Sequence, residues 1–335
     1  SPDFGPVGWR RLGQDIDGEA AGDNSGSRAV SLSADGSIVA IGALKNDGNG
    51  SDSGHVRIYQ YDATKTTNVT LQTDPNFGPV GWRRLGQDIN GEAANNWSGC
   101  SVSLSADGSI VAIGAMGNDG TVGSTNDNRG HVRIYQYDAT KTTNVTLQSS
   151  PDFGPVGWRR LGQDIDGEAA GDRSGNPVSL SADGQIVAIG AYLNDANGVD
   201  SGSVRVFQYD ATKTTNVTSQ SSPDFGPVGW RRLGQDIDGE AASDYSGQSV
   251  SLSADGSIVA IGAGGNDGTT TDINDGRGHV RVYQYANSTW TKLGQDIDGE
   301  TAGDRYGEGV SLSADGLIVA IGGLGNDANG SNSGH

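Results

Sequence analysis

The sequence predicts an all-β protein, a β-propeller of four-stranded antiparallel blades, on three observations. Leu-Gly-Gln-Asp-Ile recurs from Leu12, Leu85, Leu161, Leu233 and Leu293. Ser-Leu-Ser-Ala-Asp-Gly recurs from Ser31, Ser103, Ser179, Ser251 and Ser311, and Ile-Val-Ala-Ile-Gly from Ile38, Ile110, Ile186, Ile258 and Ile318. Between these motifs apolar residues alternate with period two and no 3.6-residue period is present, so each unit is a small sheet that must stack on its neighbours.

The elements follow in order. Val30-Ser31-Leu32-Ser33 alternates, as a strand with one buried face does. Ala34-Asp35-Gly36 supplies turn chemistry. Ile38 to Ile41 is continuously apolar and rich in β-branched residues, the pattern of a strand covered on both faces. His55 to Tyr61 alternates again, and Trp82 to Ile89 reads as the fourth strand. Four strands per unit match a propeller blade; a β-solenoid or an open array of small sheets is the competing arrangement.

The whole chain, 1–335, reads as one repeat domain with about five blades, whose cores lie near 28–89, 101–165, 177–237, 249–297 and 309–335. Residues 9–16 carry the fourth-strand motif and are expected to close the last blade, whose third strand would begin at His335. That strand would come from residues beyond 335 or from a neighbouring molecule.

Composition narrows the class. Leu, Ile, Val and Phe make up 64 of 335 residues, just under the roughly 20% at which a highly charged chain is suspected of disorder. The 55 glycines and the repeat pattern argue instead for short strands and many tight turns. With 22 Lys+Arg against 41 Asp+Glu, a net charge of -19, and no basic cluster, nucleic acid is not an expected partner and cations are favoured. No apolar run reaches the roughly 18 residues of a membrane span, and Ser1-Pro2-Asp3-Phe4 does not read as a signal peptide. The single cysteine, Cys100, excludes an internal disulfide framework.

Tyr306-Gly307 together with Gly42-Ala43, Gly114-Ala115, Gly190-Ala191 and Gly262-Ala263 resembles the two halves of the FG-GAP repeat of integrin-α-type β-propellers. Leu-Gly-Gln-Asp-Ile-Asp-Gly-Glu-Ala is similar, more closely, to tandem repeats in large surface or secreted proteins of aquatic microorganisms. The resemblance covers essentially the whole chain and implies a propeller and an extracellular or cell-surface setting. The sequence departs from the family in lacking proline after Gly-Ala, and Gly322-Gly323 stands there in the fifth copy. The calcium loop the family places between its first two strands is reduced to Ser-Ala-Asp-Gly, so no calcium site is expected there.

Candidate ligands lie elsewhere, between the fourth strand of one blade and the first of the next. Asp15, Asp17, Glu19 and Asp23 occupy positions 1, 3, 5 and 9 of a loop that returns as Asp164, Asp166, Glu168, Asp172, as Asp236, Asp238, Glu240, Asp244, and as Asp296, Asp298, Glu300, Asp304. Copy two is weaker, with Asp88, Asn90, Glu92 and Asn96. Alternating carboxylates in a glycine-containing loop can direct several oxygens to one Ca2+; the competing reading is turn chemistry in which Asp and Asn cap backbone amides. These loops hold 18 of the 41 acids.

Asn68, Asn144 and Asn216 sit in N-glycosylation sequons in near-identical loops after the third strand, and Asn287 keeps a sequon in a much shorter loop. N-linked glycans are expected there if the protein is secreted by a eukaryote. Sequons at Asn49, Asn96 and Asn329 are attributed to turn composition. Strand topology places the acidic loops on one face and the sequon loops on the other.

No catalytic residues are expected. The carboxylates recur almost equally, whereas a hydrolase needs two in distinct environments. His55, His131, His279 and His335 share one repeated position, filled by Ser203 in copy three. The arginine pair after tryptophan reads as a structural latch, Trp97 as a surface aromatic with some promise for sugar stacking, and Cys100 as an inert small residue. The sequence therefore predicts a non-enzymatic structural or adhesive protein that associates with itself or with other surface proteins and glycans. A lectin-like adhesion receptor and a propeller hydrolase are the alternatives.

Overall fold

The computed structural model describes residues 8–120, 126–268, 275–328, 330, 331 and 333–335; the sequon at Asn329 lies outside them. Among the described residues every named element is a strand. In the first blade β1 (Val30–Leu32), β2 (Ile38–Ala43), β3 (His55–Tyr61) and β4 (Trp82–Arg84) are hydrogen-bonded in that order, and β5 (Ile89–Asn90) also pairs with β3. All pairings are antiparallel.

The pattern repeats. Blade two holds β6 (Ser98–Leu104), β7 (Ile110–Ala115), β8 (His131–Tyr137), β9 (Trp158–Arg160) and β10 (Ile165–Asp166). Blade three holds β11 (Val178–Leu180), β12 (Ile186–Ala191), β13 (Ser203–Tyr209), β14 (Trp230–Arg232) and β15 (Ile237–Asp238). Blade four holds β16 (Ser249–Leu252), β17 (Ile258–Ala263), β18 (His279–Ala286), β19 (Thr289–Lys292) and β20 (Ile297–Asp298). Blade five consists of β21 (Tyr306–Leu312) and β22 (Val319–Gly323). The fold is an all-β propeller of antiparallel blades.

The fourth strand is broken where one continuous strand was expected. Trp82–Arg84 pairs with the far end of β3 and Ile89–Asn90 with its beginning, and Leu85 to Asp88 leave the ladder between them. In blades one to three the next blade's tryptophan fills the break, and blade four keeps the break at Gly294 with no neighbour within 4 Å. Gly86 has φ +65, and a Cβ there would stand 2.6 Å from Trp158 Nε1 and 2.7 Å from Val156 O. Only a bare backbone leaves room for the neighbouring indole.

Packing is between blades rather than within them. Ile38, Ala40, Val56 and Ile58 of blade one meet Val102, Leu104, Val111 and Ile113 of blade two in one cluster. The second strand of each blade is therefore apolar on both faces, and Ala40, Ala112, Ala188 and Ala260 are fully buried. Two hydrogen-bond ladders run across the blades. Leu104 N donates to Ser31 Oγ at 3.0 Å, Leu180 N to Ser103 Oγ, Leu252 N to Ser179 Oγ and Leu312 N to Ser251 Oγ. Ala34 N donates to Ala106 O, Ala106 N to Ala182 O, Ala182 N to Ala254 O and Ala254 N to Ala314 O.

Residues 9–16 form no strand and do not pair with the last sheet, in which β21 pairs β22 alone. They lie along blade one, where Leu12 O accepts from Trp82 Nε1 at 3.0 Å and Gln14 N donates to Val80 O at 2.9 Å. This is the place that Leu85 to Gln87 take against blade two.

Candidate functional site

Arg133 on β8 is the centre of an extended polar cluster. Its Nε and a terminal nitrogen donate to the two oxygens of Asp164 at 2.9 and 2.7 Å, and it reaches Gln148 Oε1 at 3.2 Å. Arg160 on β9 donates to Asp164 at 2.5 Å, to Gln148 Oε1 at 2.8 Å and to Gln148 O at 2.6 Å. Both guanidinium groups lie over the Phe153 ring, at 5.2 and 4.5 Å. Glu92, from the loop preceding the blade, closes the cluster on Arg133 and Gln148. The planar fork of arginine suits this shared, bidentate geometry in a way that lysine would not. Asp164 is held well below the usual carboxylate range: burial opposes its charge, but Arg133, Arg160 and His131 outweigh it. Blade one repeats the arrangement with Arg57, Arg84, Asp88, Gln72, Phe77 and Glu19.

This latch takes the acidic-loop residues at positions 1 and 5 and leaves those at positions 3 and 9 to other places. At loop position 1, Asp88, Asp164, Asp236 and Asp296 pair with arginines of their own blade, while Asp15 is exposed beside Arg11 at 3.2 Å. At position 5, Glu19, Glu92 and Glu240 cross to Arg57, Arg133 and Arg281 of the following blade, and Glu168 stands 4.0 Å from Arg205; Glu300 is exposed. At position 9, Asp23, Asp172, Asp244 and Asp304 are buried and cap the loop itself, accepting from the amides of Ala20, Ala169, Ala241 and Thr301. Asn96 does the same for Ala93. At position 3, Asp17, Asn90 and Asp298 are exposed and Asp166 and Asp238 half-buried.

Among the described residues, no three metal-ligand groups of a single loop converge. Three cross-blade groups do so within 4.8 Å: Glu19, His55, Asp88; Glu92, His131, Asp164; and Glu240, His279, Asp296. Each offers two carboxylates and an imidazole, and in each an arginine is ion-paired to both carboxylates. Such a set does not fit calcium, which wants six to eight oxygens. The Ser-Ala-Asp-Gly turn is likewise closed on itself. Asp35 Oδ1 accepts from Ser37 N, Ser33 Oγ and Ser37 Oγ, which hold its carboxyl down at about 2.

Blade three breaks the pattern. Ser203 replaces histidine and Phe207 replaces tyrosine, and Arg205 turns to the Asp166 carbonyl at 2.7 Å. Asp236 is bridged by Arg232 at 2.7 Å, and burial pushes its carboxyl up. Asp166 has a buried Oδ1 without a hydrogen-bond partner, and burial, with the charge of Asp164 beside it, pushes its carboxyl up to about 6. Around it opens a cleft of about 820 Å³ lined by Glu92, His131, Asp166, Glu168, Arg205 and Phe225, against about 360 and 330 Å³ for the grooves of the two preceding repeats. Sequence reasoning missed this site. Its signal was the pair of departures at Ser203 and Phe207.

The sequon asparagines Asn68, Asn144, Asn216 and Asn287 are all exposed. Asn68 and Asn216 accept from Val80 N and Val228 N at 2.8 Å through their side-chain oxygens, so the amide nitrogen that would carry a sugar is not the bonded atom. The expected separation into an acidic face and a sequon face fails. The loop from Asp62 to Gly81 folds back on itself through a Val69–Gly78 bridge, held by buried Lys65 donating to Thr67 O, Gly78 O and Pro79 O. It therefore runs along the blade edge, where Gln72 contacts Glu19, and Asn68 lines the same groove as Asp15, Asp17 and Glu19.

The other singled-out residues are structural. His131 is buried at the start of β8, which pushes it down to about 4 and leaves it neutral at pH 7. Cys100 is buried with its thiol pushed up to about 11, far from a reactive thiolate. Trp97 packs against the Leu44, Cys100 and Met116 cluster.

Residues 165–207 match the FG-GAP repeat family model, spanning the end of blade two and the first three strands of blade three. No curated protein matches. Among solved structures, a candidate 6-phosphogluconolactonase from Bacteroides uniformis is 13% identical over 92% of this chain and 70% of its own, with a TM-score of 0.44. The β-propeller domain of Cps50 (Swd1) from Myceliophteria thermophila is 10% identical over 89% of this chain and 79% of its own, with a TM-score of 0.38. The fold and the repeat match define the class: an FG-GAP-like β-propeller repeat chain.

Proposed function

We propose that the chain is a non-enzymatic structural or adhesive repeat protein of an extracellular surface, matrix or filament, with N-linked glycans at Asn68, Asn144, Asn216 and Asn287. The observation that carries this reading is the use made of the charged residues. The recurring arginines and most of the recurring acids are spent on locking blade edges and loops together, and the carboxylate repeated at position 1 is paired rather than presented. The cation that meets the carboxylates at positions 1 and 5 is the guanidinium group. The FG-GAP match supports an extracellular setting, since repeats of that family are typical of extracellular proteins.

A second reading, a carbohydrate- or protein-binding adhesion module, is favoured by the cleft of about 820 Å³ in blade three, more than twice the volume of the grooves of the two preceding repeats. Mass spectrometry of the chain recovered from source cells by surface extraction tests the first reading. Glycan mass on peptides containing the four asparagines is expected. Recovery in the soluble intracellular fraction with unmodified asparagines would overturn it.

A further inference from the structure

We propose that the exposed face of blade five docks onto the exposed face of blade one of a second copy, in the register that joins consecutive blades inside the chain. The proposal rests on the structural reading above and names its partner.

Four internal junctions define the rule. At each, the isoleucine that opens the second strand of one blade packs on the turn glycine of the next: Ile38 on Gly108, Ile110 on Gly184, Ile186 on Gly256, Ile258 on Gly316. A serine hydroxyl of the first blade accepts from a leucine amide of the second, and an alanine amide of the first donates to an alanine carbonyl of the second. A backbone glycine of the first lies so close to the second that a Cβ on Gly42 would stand 2.1 Å from Gly99 O, with the same contact at Gly114, Gly190 and Gly262.

The two end blades hold the unused halves of each pair. Blade five offers Ile318, 70% exposed where Ile38 and Ile258 are 8%, together with Ser311 Oγ, Ala314 N and Gly322, whose Cβ position meets nothing closer than 3.9 Å. Blade one offers Gly36, with nothing within 4 Å, Ala34 O, and Val30 and Leu32, 55% and 58% exposed where Val102 and Leu104 are 8% and 7%. The apolar groups, the donors and the acceptors left over at one end are those missing at the other. Leu317, 80% exposed, adds to the blade-five patch at a position that is serine or glutamine in the other copies. Apolar surface of this extent, carrying half of an established interface, is a docking surface. Because the two patches differ, the contact is heterologous and propagates into a filament or a closed ring of copies.

Sedimentation velocity of the 335-residue chain over a wide concentration range tests this. The unmodified chain is expected to form species at successive multiples of 34.3 kDa. Leu32→Asp and Ile318→Asp, both at exposed positions and so expected to keep the parent unfolding temperature, should each lose all species above the monomer. Mixing the two variants should recover a dimer and nothing larger, because one supplies an intact blade-five face and the other an intact blade-one face. A strictly monomeric unmodified chain would overturn the docking, pointing instead to further repeats of a longer chain as the cover. If that monomer still carried its glycans, the structural reading would stand. Assembly that persists in either single variant would also overturn the docking.

Discussion

Trp158 Nε1 donates to the carbonyl of Leu85 at 2.9 Å, joining two residues 73 positions apart across the junction of blades one and two. The indole is fully buried, and Trp82, Trp230 and Trp290 make the same bond to Leu12, Leu161 and Leu233. Truncation here removes a large buried ring and leaves a carbonyl unpaired. Trp158→Ala is expected to lower stability by about 3–5 kcal/mol, whereas Trp9→Ala, at a ring that is 77% exposed, should change it by less than about 0.5 kcal/mol. Denaturant unfolding of the two variants checks the contrast.

The other half of that junction is Gly86. Its left-handed φ costs an L-residue roughly 1–2 kcal/mol, and a methyl group there would overlap the Trp158 ring. Gly86→Ala should therefore destabilise the chain by more than about 2 kcal/mol, while alanine at Gly294, with nearly the same φ but no neighbour within 4 Å, should cost only the backbone part. Thermal unfolding of both variants separates strain from packing.

Asp166 makes a pH prediction. Its carboxyl is raised to about 6 by burial and by Asp164, so between its unfolded value and 6 the folded state holds more protons than the unfolded state. Stability contributed by this group falls as pH rises through that window. His131, pushed down to about 4, works in the opposite direction over much of the same range. The difference between the parent and Asp166→Asn isolates the carboxyl. The variant, which installs the residue that copy two carries at Asn90, should be more stable at pH 7 by at most about 3 kcal/mol, with the gain vanishing near pH 4. A constant offset across pH would contradict the assignment.

Much of the fold was legible because repetition prints the strand pattern five times. The apolar run at Ile38 and the Asp-Gly turns became what local chemistry dictates. The alternation in Val30 to Ser33 became a strand whose apolar face is buried in blade two, at Val102 and Leu104, but exposed in blade one. The broken fourth strand was not legible, because the left-handed turn at Gly86, Gly162, Gly234 and Gly294 reads in sequence as one glycine inside an otherwise strand-like motif. The acidic loop was misjudged for another reason. Spacing along a loop reports which carboxylates are near in sequence, but Arg57 and Arg133, half a blade away, decide where they point. The fold-back of the Asp62 to Gly81 loop depends on buried Lys65, which in sequence is one more polar residue in a polar stretch. The blade-three cleft coincides with the departures at Ser203 and Phe207 and with the turn of Arg205 to the Asp166 carbonyl, an orientation that an unchanged arginine does not announce in the sequence.

The central claim is that the recurring acids at loop positions 1 and 5 are parts of an arginine latch that holds the blades together. A double-mutant cycle on Arg133 and Asp164, read by denaturant unfolding in the presence of chelator, tests it most directly. Removing one partner of this buried pair should cost roughly 3–5 kcal/mol, and the account predicts a favourable coupling above about 1 kcal/mol that added calcium leaves unchanged. Additive single-variant effects, with calcium alone restoring stability to the parent chain, would contradict it.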